Sequence, residues 1–320
     1  MSPLQLRVRD VSRPVPNVLV AELEAADGRM LPAWEPGAHV ELDLGGPLLR
    51  HYSLCGDPVD QTVWRIAVLL RPDGTGGSRR VHEQFTPGHT VDCRAVRNRM
   101  PMTDVPRLLF LAGGIGITPI LPMVRAAEAR GIAWRLVYTG REEGTMFGLA
   151  ELVDSFGDRV LPHFSGLSGR VDVERVLKEM PTVDAIVCCG PGSLMQSARE
   201  AADRRGIVCV TEAFDATAPP HEADVATDSG EEGTFVVTLA QDGRDVAVAP
   251  NQTVLSALEE AGVAVASSCR EGYCGTCETV VVEGSVDHRD SVLTPEEHAD
   301  TDLMMVCVSR CNGARLVLDL

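Results

Sequence analysis

The stretch Ser267-Ser268-Cys269-Arg270-Glu271-Gly272-Tyr273-Cys274-Gly275-Thr276-Cys277 gathers three cysteines into one short segment, and a fourth, Cys307, follows after twenty-nine intervening residues. Three thiolates can reach one metal centre from a single tight loop, and the fourth closes the site from a distant element. Gly272 and Gly275 leave the loop room to turn, so that backbone N–H groups point at sulfur and stabilise the anionic centre. Sulfur-only donor sets serve structural zinc and iron–sulfur clusters alike.

Spacing separates the two. Zinc knuckles carry paired C-x2-C units, and this loop has one such pair. Four, two and twenty-nine residues between successive cysteines is the plant-type spacing for a [2Fe–2S] cluster, with Cys269, Cys274, Cys277 and Cys307 as ligands. Upstream, residues 234–239 and 245–248 read as strands around the turn Gln241-Asp242-Gly243-Arg244. Residues 253–261 read as a helix closed by Gly262. Residues 279–282 read as another strand, and the apolar run 303–308 delivers Cys307 beneath the loop. Strand, strand, helix, cysteine loop is the order of a plant-type ferredoxin, an α+β fold of the β-grasp kind, which residues 234–320 resemble throughout. By its spacing, Cys311 is not a fifth ligand.

A chain of 320 residues holds two or three domains. Residues 215–233 combine proline, glycine and unopposed acids, as in Ala218-Pro219-Pro220 and Asp228-Ser229-Gly230-Glu231-Glu232-Gly233, and read as an acidic linker that cannot bury a core. The net charge of −17 is uneven: residues 1–213 hold 24 basic and 26 acidic side chains, residues 214–320 hold 5 and 20. This excludes nucleic acid as a partner and suits a basic docking surface on an electron acceptor, or simple solubility. No apolar run reaches membrane-span length, and Met1-Ser2-Pro3-Leu4-Gln5-Leu6-Arg7 lacks a signal peptide's basic start and apolar core. A cytoplasmic monomer is expected. Of the ten cysteines, those outside the cluster set, Cys188 and Cys209 among them, fall mostly in apolar segments and fit reduced thiols.

Residues 104–214 alternate apolar strands with helical stretches, the pattern of a parallel α/β sheet. A strand at 107–112 runs into Gly113-Gly114-Ile115-Gly116-Ile117-Thr118-Pro119, where glycines permit close backbone approach and Pro119 suits a first helical turn. A second strand, 183–188, leads into Cys189-Gly190-Pro191-Gly192. Both turns lie at strand carboxyl ends, where a dinucleotide binds an open parallel sheet. Either turn alone would be an ordinary tight turn. Residues 1–103 are strand-rich, with turns at Glu35-Pro36-Gly37-Ala38, Leu44-Gly45-Gly46-Pro47 and Thr86-Pro87-Gly88-His89, as in an antiparallel barrel.

Arg50-His51-Tyr52-Ser53 resembles the R-x-Y-S motif of the ferredoxin-NADP reductase superfamily. It offers an arginine for phosphate, a ring to pack on an isoalloxazine and a hydroxyl for flavin N5. The bland alternative is a strand alternating Tyr52 and Leu54 into a core. Asp73-Gly74-Thr75-Gly76-Gly77-Ser78 follows the strand-like Ile66-Ala67-Val68-Leu69-Leu70 and is either a hairpin loop or a phosphate cradle. Within the superfamily the chain resembles the phthalate dioxygenase reductase family, in which a Gly-Gly-Ser sequence here holds the FMN phosphate. The resemblance covers essentially the whole chain, as domains 1–103, 104–214 and 234–320 with the linker between.

That resemblance implies residue roles. Arg50, His51, Tyr52, Ser53, Ala67, Val68, Leu69, Gly76, Gly77 and Ser78 would bind FMN rather than FAD. Gly113, Gly114, Gly116, Thr118, Pro119, Arg141, Cys189, Gly190 and Pro191 would bind the pyridine nucleotide, with Ser53, Thr118 and Cys189 at the reacting rings and Phe214 over the flavin. Arg97-Asn98-Arg99-Met100-Pro101 stands where relatives carry an aromatic, and Met100 is a packing change. In Tyr138-Thr139-Gly140-Arg141-Glu142-Glu143 the two acids oppose a 2′-phosphate on Arg141, which with family habit favours NADH. The implied function is electron transfer from NADH through FMN and [2Fe–2S] to a terminal oxygenase, Rieske type first and cytochrome P450 second. No catalytic acid, base or nucleophile is needed, because hydride passes directly between stacked rings. A standalone NADH-dependent flavin, quinone or diaphorase-type reductase competes, and so does a redox sensor, which lacks an effector segment and a basic face. The acid-rich ferredoxin segment favours docking to an acceptor.

Overall fold

The computed structural model describes residues 4–320 except 46–47, 73, 75, 181, 213–232, 268–269, 271, 273–274, 291, 294 and 300, and the backbone alone at 295–296. The chain divides into two compact units, Met1–Ala218 and Pro219–Leu320.

The first unit opens with six antiparallel strands: β1 (Leu4–Ser12), β2 (Val18–Ala25), β3 (Ala38–Asp43), β4 (Leu49–Ser53), β5 (Trp64–Leu69) and β6 (Thr90–Asn98), in the order β4-β3-β6-β1-β2-β5. A single bridge between Leu54 and Ile66 brings the two edge strands together, so the sheet curls into a half-barrel. Period-two alternation drives this packing. Along β2, Leu19, Ala21, Leu23 and Ala25 fill the barrel core, and Val18 and Val20 face the core of the next sheet. The short helix α1 (Gly77–Gln84) starts at Gly76, whose φ of 91° suits glycine. Gly77 and Ser78, expected in a loop, are therefore its first turn.

Five parallel strands follow, β7 (Arg107–Gly113), β8 (Ala133–Gly140), β9 (Val160–Phe164), β10 (Ala185–Cys189) and β11 (Val208–Glu212), in the order β11-β10-β7-β8-β9. The covering helices are α2 (Ile117–Ala129), α3 (Leu149–Phe156), α4 (Ser165–Ser168), α5 (Val173–Glu179) and α6 (Gly192–Asp203). β7 is buried on both faces. Leu108, Phe110 and Ala112 pack with Ile117, Ile120 and Val124 of α2, and Leu109 and Leu111 pack with Leu194, Met195 and Ala198 of α6. The strand order reverses between β7 and β10, which puts both glycine turns at the topological switch point. Met100 is fully buried beside Met123 in the core shared by barrel and parallel sheet.

The second unit is a β-grasp. Strands β12 (Phe235–Leu239), β13 (Asp245–Val248), β14 (Glu278–Glu283), β16 (Leu303–Met305) and β18 (Arg315–Leu318) form a mixed sheet in the order β13-β12-β18-β14-β16, and β15 (Val286–Asp287) pairs with β17 (Arg310–Cys311). Helix α7 (Val254–Glu260) buries Val254, Leu255 and Leu258 in the same core as Phe235, Val237 and Leu316. Its N-cap is Thr253, which accepts a hydrogen bond from the Ser256 N–H. Helix α8 is Pro295–Ala299. Among the described residues no helix is long and apolar enough to cross a membrane.

Candidate functional site

Where β4, β5 and α1 meet the turn after β7, a pocket opens whose empty space of about 780 Å³ runs out into solvent. Its walls include Arg50, His51, Tyr52 and Ser53 of β4, Ala67, Val68 and Leu69 of β5, Gly77 and Ser78 of α1, and Thr118 of α2. Ten of the assigned residues thus surround one space. Gly76 is not in the wall. Arg71, Gly74 and Ile115 are, although the sequence motifs give none of them a role of its own.

One end of the cavity is cationic, with Arg50 and Arg71 on the wall beside the first turn of α1. A Cβ on Gly77 would lie 2.5 Å from Arg50 Nε, so only glycine leaves Arg50 its place. Arg50 Nη1 donates to the Leu49 carbonyl at 2.7 Å, and the Arg71 N–H donates to Ser78 Oγ at 3.0 Å. Guanidinium groups at a helix N-terminus suit a phosphate. Burial raises the Tyr52 phenol well above its ordinary value despite Arg50 nearby, so it stays neutral. Ser53 Oγ is buried on the wall without a hydrogen-bond partner. A buried hydroxyl left unsatisfied is unfavourable, and a flavin in this cavity would relieve it.

Behind this wall His39 of β3 is 1% exposed, with Nδ1 3.2 Å from Glu212 Oε1 at the end of β11. The contact lacks hydrogen-bond alignment, since neither His39 nitrogen has a hydrogen-bond partner. His39 stacks on His51 with ring centroids 5.0 Å apart, and His51 Nε2 is 3.9 Å from Glu41, whose carboxylate pairs with Arg97 at 2.7 Å. The sequence points only to Phe214 in this stretch, and the structure adds Glu212. Phe214 lies outside the described residues.

A second cavity of about 550 Å³ shares Leu69 and Ile115 with the first and is walled further by Asn17, Gly114, Gly140, Arg141, Met146 and Phe147. Of the residues assigned to the nucleotide, Gly114 and Arg141 stand on this wall. The other glycines serve the protein itself first. A Cβ on Gly116 would come within 2.4 Å of the Cys189 carbonyl oxygen, one on Gly113 within 2.4 Å of Pro191 Cδ, and one on Gly190 within 2.8 Å of the Gly113 backbone. The two turns at the switch point are pressed against each other, and Pro191 is the N-cap of α6. Thr118 is buried in the first turn of α2, donates to the Ile115 carbonyl at 3.0 Å and keeps its oxygen as an acceptor, with Pro119 buried beside it. Cys189 ends β10 rather than starting the turn, and it lines neither cavity. Burial, with Glu212 and Cys188 adding to it, raises its thiol well above the ordinary value. It is a neutral thiol, not a nucleophile.

In the second unit Cys277 and Cys307 are 2% and 1% exposed and lie in one apolar core. β16 stops at Met305, so Cys307 sits in the turn that follows rather than on a strand. That turn is closed by the Val308 and Ser309 N–H groups donating to the Met305 carbonyl. The Val306 carbonyl accepts from the Leu255 N–H at 2.8 Å, which ties the turn to α7. Cys269 and Cys274 lie outside the described residues.

The family model of the 2Fe-2S iron-sulfur cluster binding domain matches residues 237–312. The chain is 36% identical over its whole length to the phenoxybenzoate dioxygenase subunit beta of Ectopseudomonas oleovorans, covering 98% of that protein. It superposes on phthalate dioxygenase reductase, a modular structure for electron transfer from pyridine nucleotides to [2Fe–2S], with a TM-score of 0.72 and 32% identity, covering 99% of this chain and 98% of that one. The chain belongs to the phthalate dioxygenase reductase family. Its members' fold also recurs in an intact type IV self-sufficient cytochrome P450 monooxygenase, with a TM-score of 0.82 and 35% identity; this chain is 99% covered and spans 41% of that one. Family membership makes this chain an oxidoreductase with an iron–sulfur cluster binding domain. It is the reductase component that supplies electrons to an oxygenase.

Proposed function

We propose that this chain draws electrons from NADH into FMN in the barrel cavity, then through a [2Fe–2S] cluster on Cys269, Cys274, Cys277 and Cys307, to a Rieske non-haem iron oxygenase in the cytoplasm. When bound, the flavin takes two electrons as hydride and gives them up singly, which matches a two-electron donor to a one-electron cluster. The observation that carries the reading is the first cavity itself: the barrel and the nucleotide-side turn wall it together, it is cationic at one end, and Ser53 Oγ is orphaned within it. Arg50, Arg71 and Ser78 at the start of α1 would hold a terminal phosphate, which supports FMN over FAD. Ser53 would donate to the isoalloxazine and fix its orientation. Thr118 and Ile115 close the cavity on the nucleotide side and help exclude water. Arg141 on the second cavity would meet the adenosine ribose, and the adjacent Glu142 and Glu143 disfavour a 2′-phosphate there, which supports NADH.

The experiment is an anaerobic NADH titration followed in the visible spectrum, with cytochrome c as a one-electron acceptor. Wild-type protein should bleach flavin and cluster together and reduce cytochrome c. Cys277→Ser should keep flavin reduction and lose cytochrome c reduction; if that activity survives, the chain is a standalone flavin reductase. The 35% identity to the P450 fusion supports a second acceptor class, and steady-state assays with purified oxygenases of each class separate the two.

A further inference from the structure

The second unit holds a cluster of side chains that the electron-transfer path does not use. His288 Nδ1 lies 3.6 Å from Asp290 Oδ1, and His298 Nε2 lies 3.6 Å from Asp290 Oδ2. The ligating atoms of all three residues fall within 4.8 Å of one another. At 3.6 Å these are not hydrogen bonds, and both nitrogens are buried without a hydrogen-bond partner. The Asp290 side chain is fully buried and that of His288 is 9% exposed, while His298, at 26%, forms the rim. Two imidazoles converge on one buried carboxylate and bond to nothing there.

We propose that His288, Asp290 and His298 form a binding site for one divalent transition-metal ion of the zinc class. Two nitrogens and one carboxylate oxygen are a zinc donor set, with a fourth position left for water. Bond lengths of about 2.0–2.1 Å in a tetrahedron put ligand atoms about 3.4 Å apart, and each imidazole nitrogen stands 3.6 Å from a different oxygen of the one Asp290 carboxylate. Seating both nitrogens around one ion requires a rotation of the rim residue His298, whose ring is stacked on His288 with centroids 4.5 Å apart. Asp290 is held in place independently: it accepts from the Val292 and Leu293 N–H groups at 3.1 and 3.0 Å and from the Ser309 hydroxyl at 3.3 Å. Those bonds fix the orientation of the carboxylate, as outer-sphere partners do at metal sites.

The position gives the ion a role. A Cβ on Gly272 of the cysteine loop would stand 3.1 Å from Asp290 Cα and 2.5 Å from Val308 Cγ2. The segment carrying the three ligands is thus packed directly under the loop and beside the turn bearing Cys307. A bound ion cross-links residues 288 and 298 there and resists opening of the loop.

The test uses the full-length holoprotein, freed of loose metal by dialysis against a mild chelator and then equilibrated with zinc chloride. Elemental analysis should find one zinc per chain with the two cluster irons retained. The zinc X-ray absorption edge should report nitrogen and oxygen neighbours and no sulfur. His298→Ala and His288→Ala should keep iron and flavin while binding zinc at least about 100-fold more weakly, more than loss of an outer-sphere partner costs. Zinc absent from the wild type, zinc gained at the expense of iron, a sulfur shell at the zinc edge, or equal zinc in the variants would each overturn the proposal.

Discussion

The glycines of the barrel and those of the parallel sheet stand at the same kind of place, a strand-to-helix turn at a sheet edge, and they are used differently. Gly77 makes room for a side chain: the space its Cβ would fill belongs to Arg50, and the result is a cation on the cavity wall. Gly116 and Gly190 make room for the backbone of the facing turn, and Gly113 for the ring of Pro191, so all three close the same seam. In the first case glycine presents charge to a ligand, and in the second it closes the switch point between β7 and β10. A glycine-rich signature therefore does not distinguish a surface offered to a cofactor from a seam inside the protein.

Gly116→Ala tests the seam and should have the largest effect. Its Cβ meets the Cys189 carbonyl at 2.4 Å, a backbone atom at the end of β10 that cannot swing aside as a side chain does. Overpacking of this kind costs about 3 kcal/mol or more, read as a lower urea midpoint by tryptophan fluorescence. Unchanged stability would mean that the two turns part freely, and the comparison would fail.

Gly77→Ala instead displaces a side chain. The protein should stay folded, and FMN should bind about 10- to 100-fold more weakly, the worth of one charge-assisted hydrogen bond, measured by quenching of flavin fluorescence. Arg50→Ala should lose a similar factor, and the double variant little more, because both changes remove the same cation.

Ser53→Ala touches orientation and leaves the phosphate end alone. FMN affinity should stay within a few-fold, and NADH-driven flavin reduction in stopped flow should slow about tenfold, the equivalent of one lost hydrogen bond. Equal losses of affinity and rate would show that Ser53 only anchors.

Alkaline pH probes the seam in another way. Burial raises the thiols of Cys188 and Cys189 well above their ordinary value, and takes Cys55 to about 12 and Cys93 and Cys209 to about 11. In the unfolded chain these thiols ionise near 9. A folded value above the unfolded one gives stability that is complete below about 9 and is lost as pH rises through 11 to 12. Denaturation midpoints should therefore be flat to pH 8.5 and fall beyond it.

Much of this arrangement was legible in the residues. The cysteine spacing, the turn at Gly243 and the helix closed by Gly262 are local signals, and each carries its own physics. Nine residues of β4, β5 and α1 were assigned to the flavin and do line one cavity, because the R-x-Y-S and Gly-Gly-Ser motifs sit on neighbouring elements. Arg71 was missed because it belongs to no motif and reaches the cavity only through the turn that α1 imposes. Glu212 and His39 were missed because they meet across barrel and parallel sheet, a contact between residues 173 positions apart that no window of sequence displays. The two glycines at 76 and 77 argue for a loop, but the Arg80 N–H donates to the Gly76 carbonyl at 3.0 Å and a helix begins there.

Gly114→Ala is the smallest and sharpest test. Gly114 lies between two seam glycines and belongs to neither use: its φ is +55°, nothing lies within 4 Å of its missing Cβ, and it stands on the wall of the second cavity. The substitution creates no clash, so its stability effect should be only the left-handed backbone term, about 1 kcal/mol, and FMN binding should be untouched. What it adds is a methyl group on the wall assigned to the pyridine nucleotide. A KM for NADH that rises severalfold at unchanged FMN content would mark Gly114 as the ligand-facing glycine of the turn. No change in KM would move the nucleotide off this wall, leaving the whole Gly113 to Gly116 turn as seam.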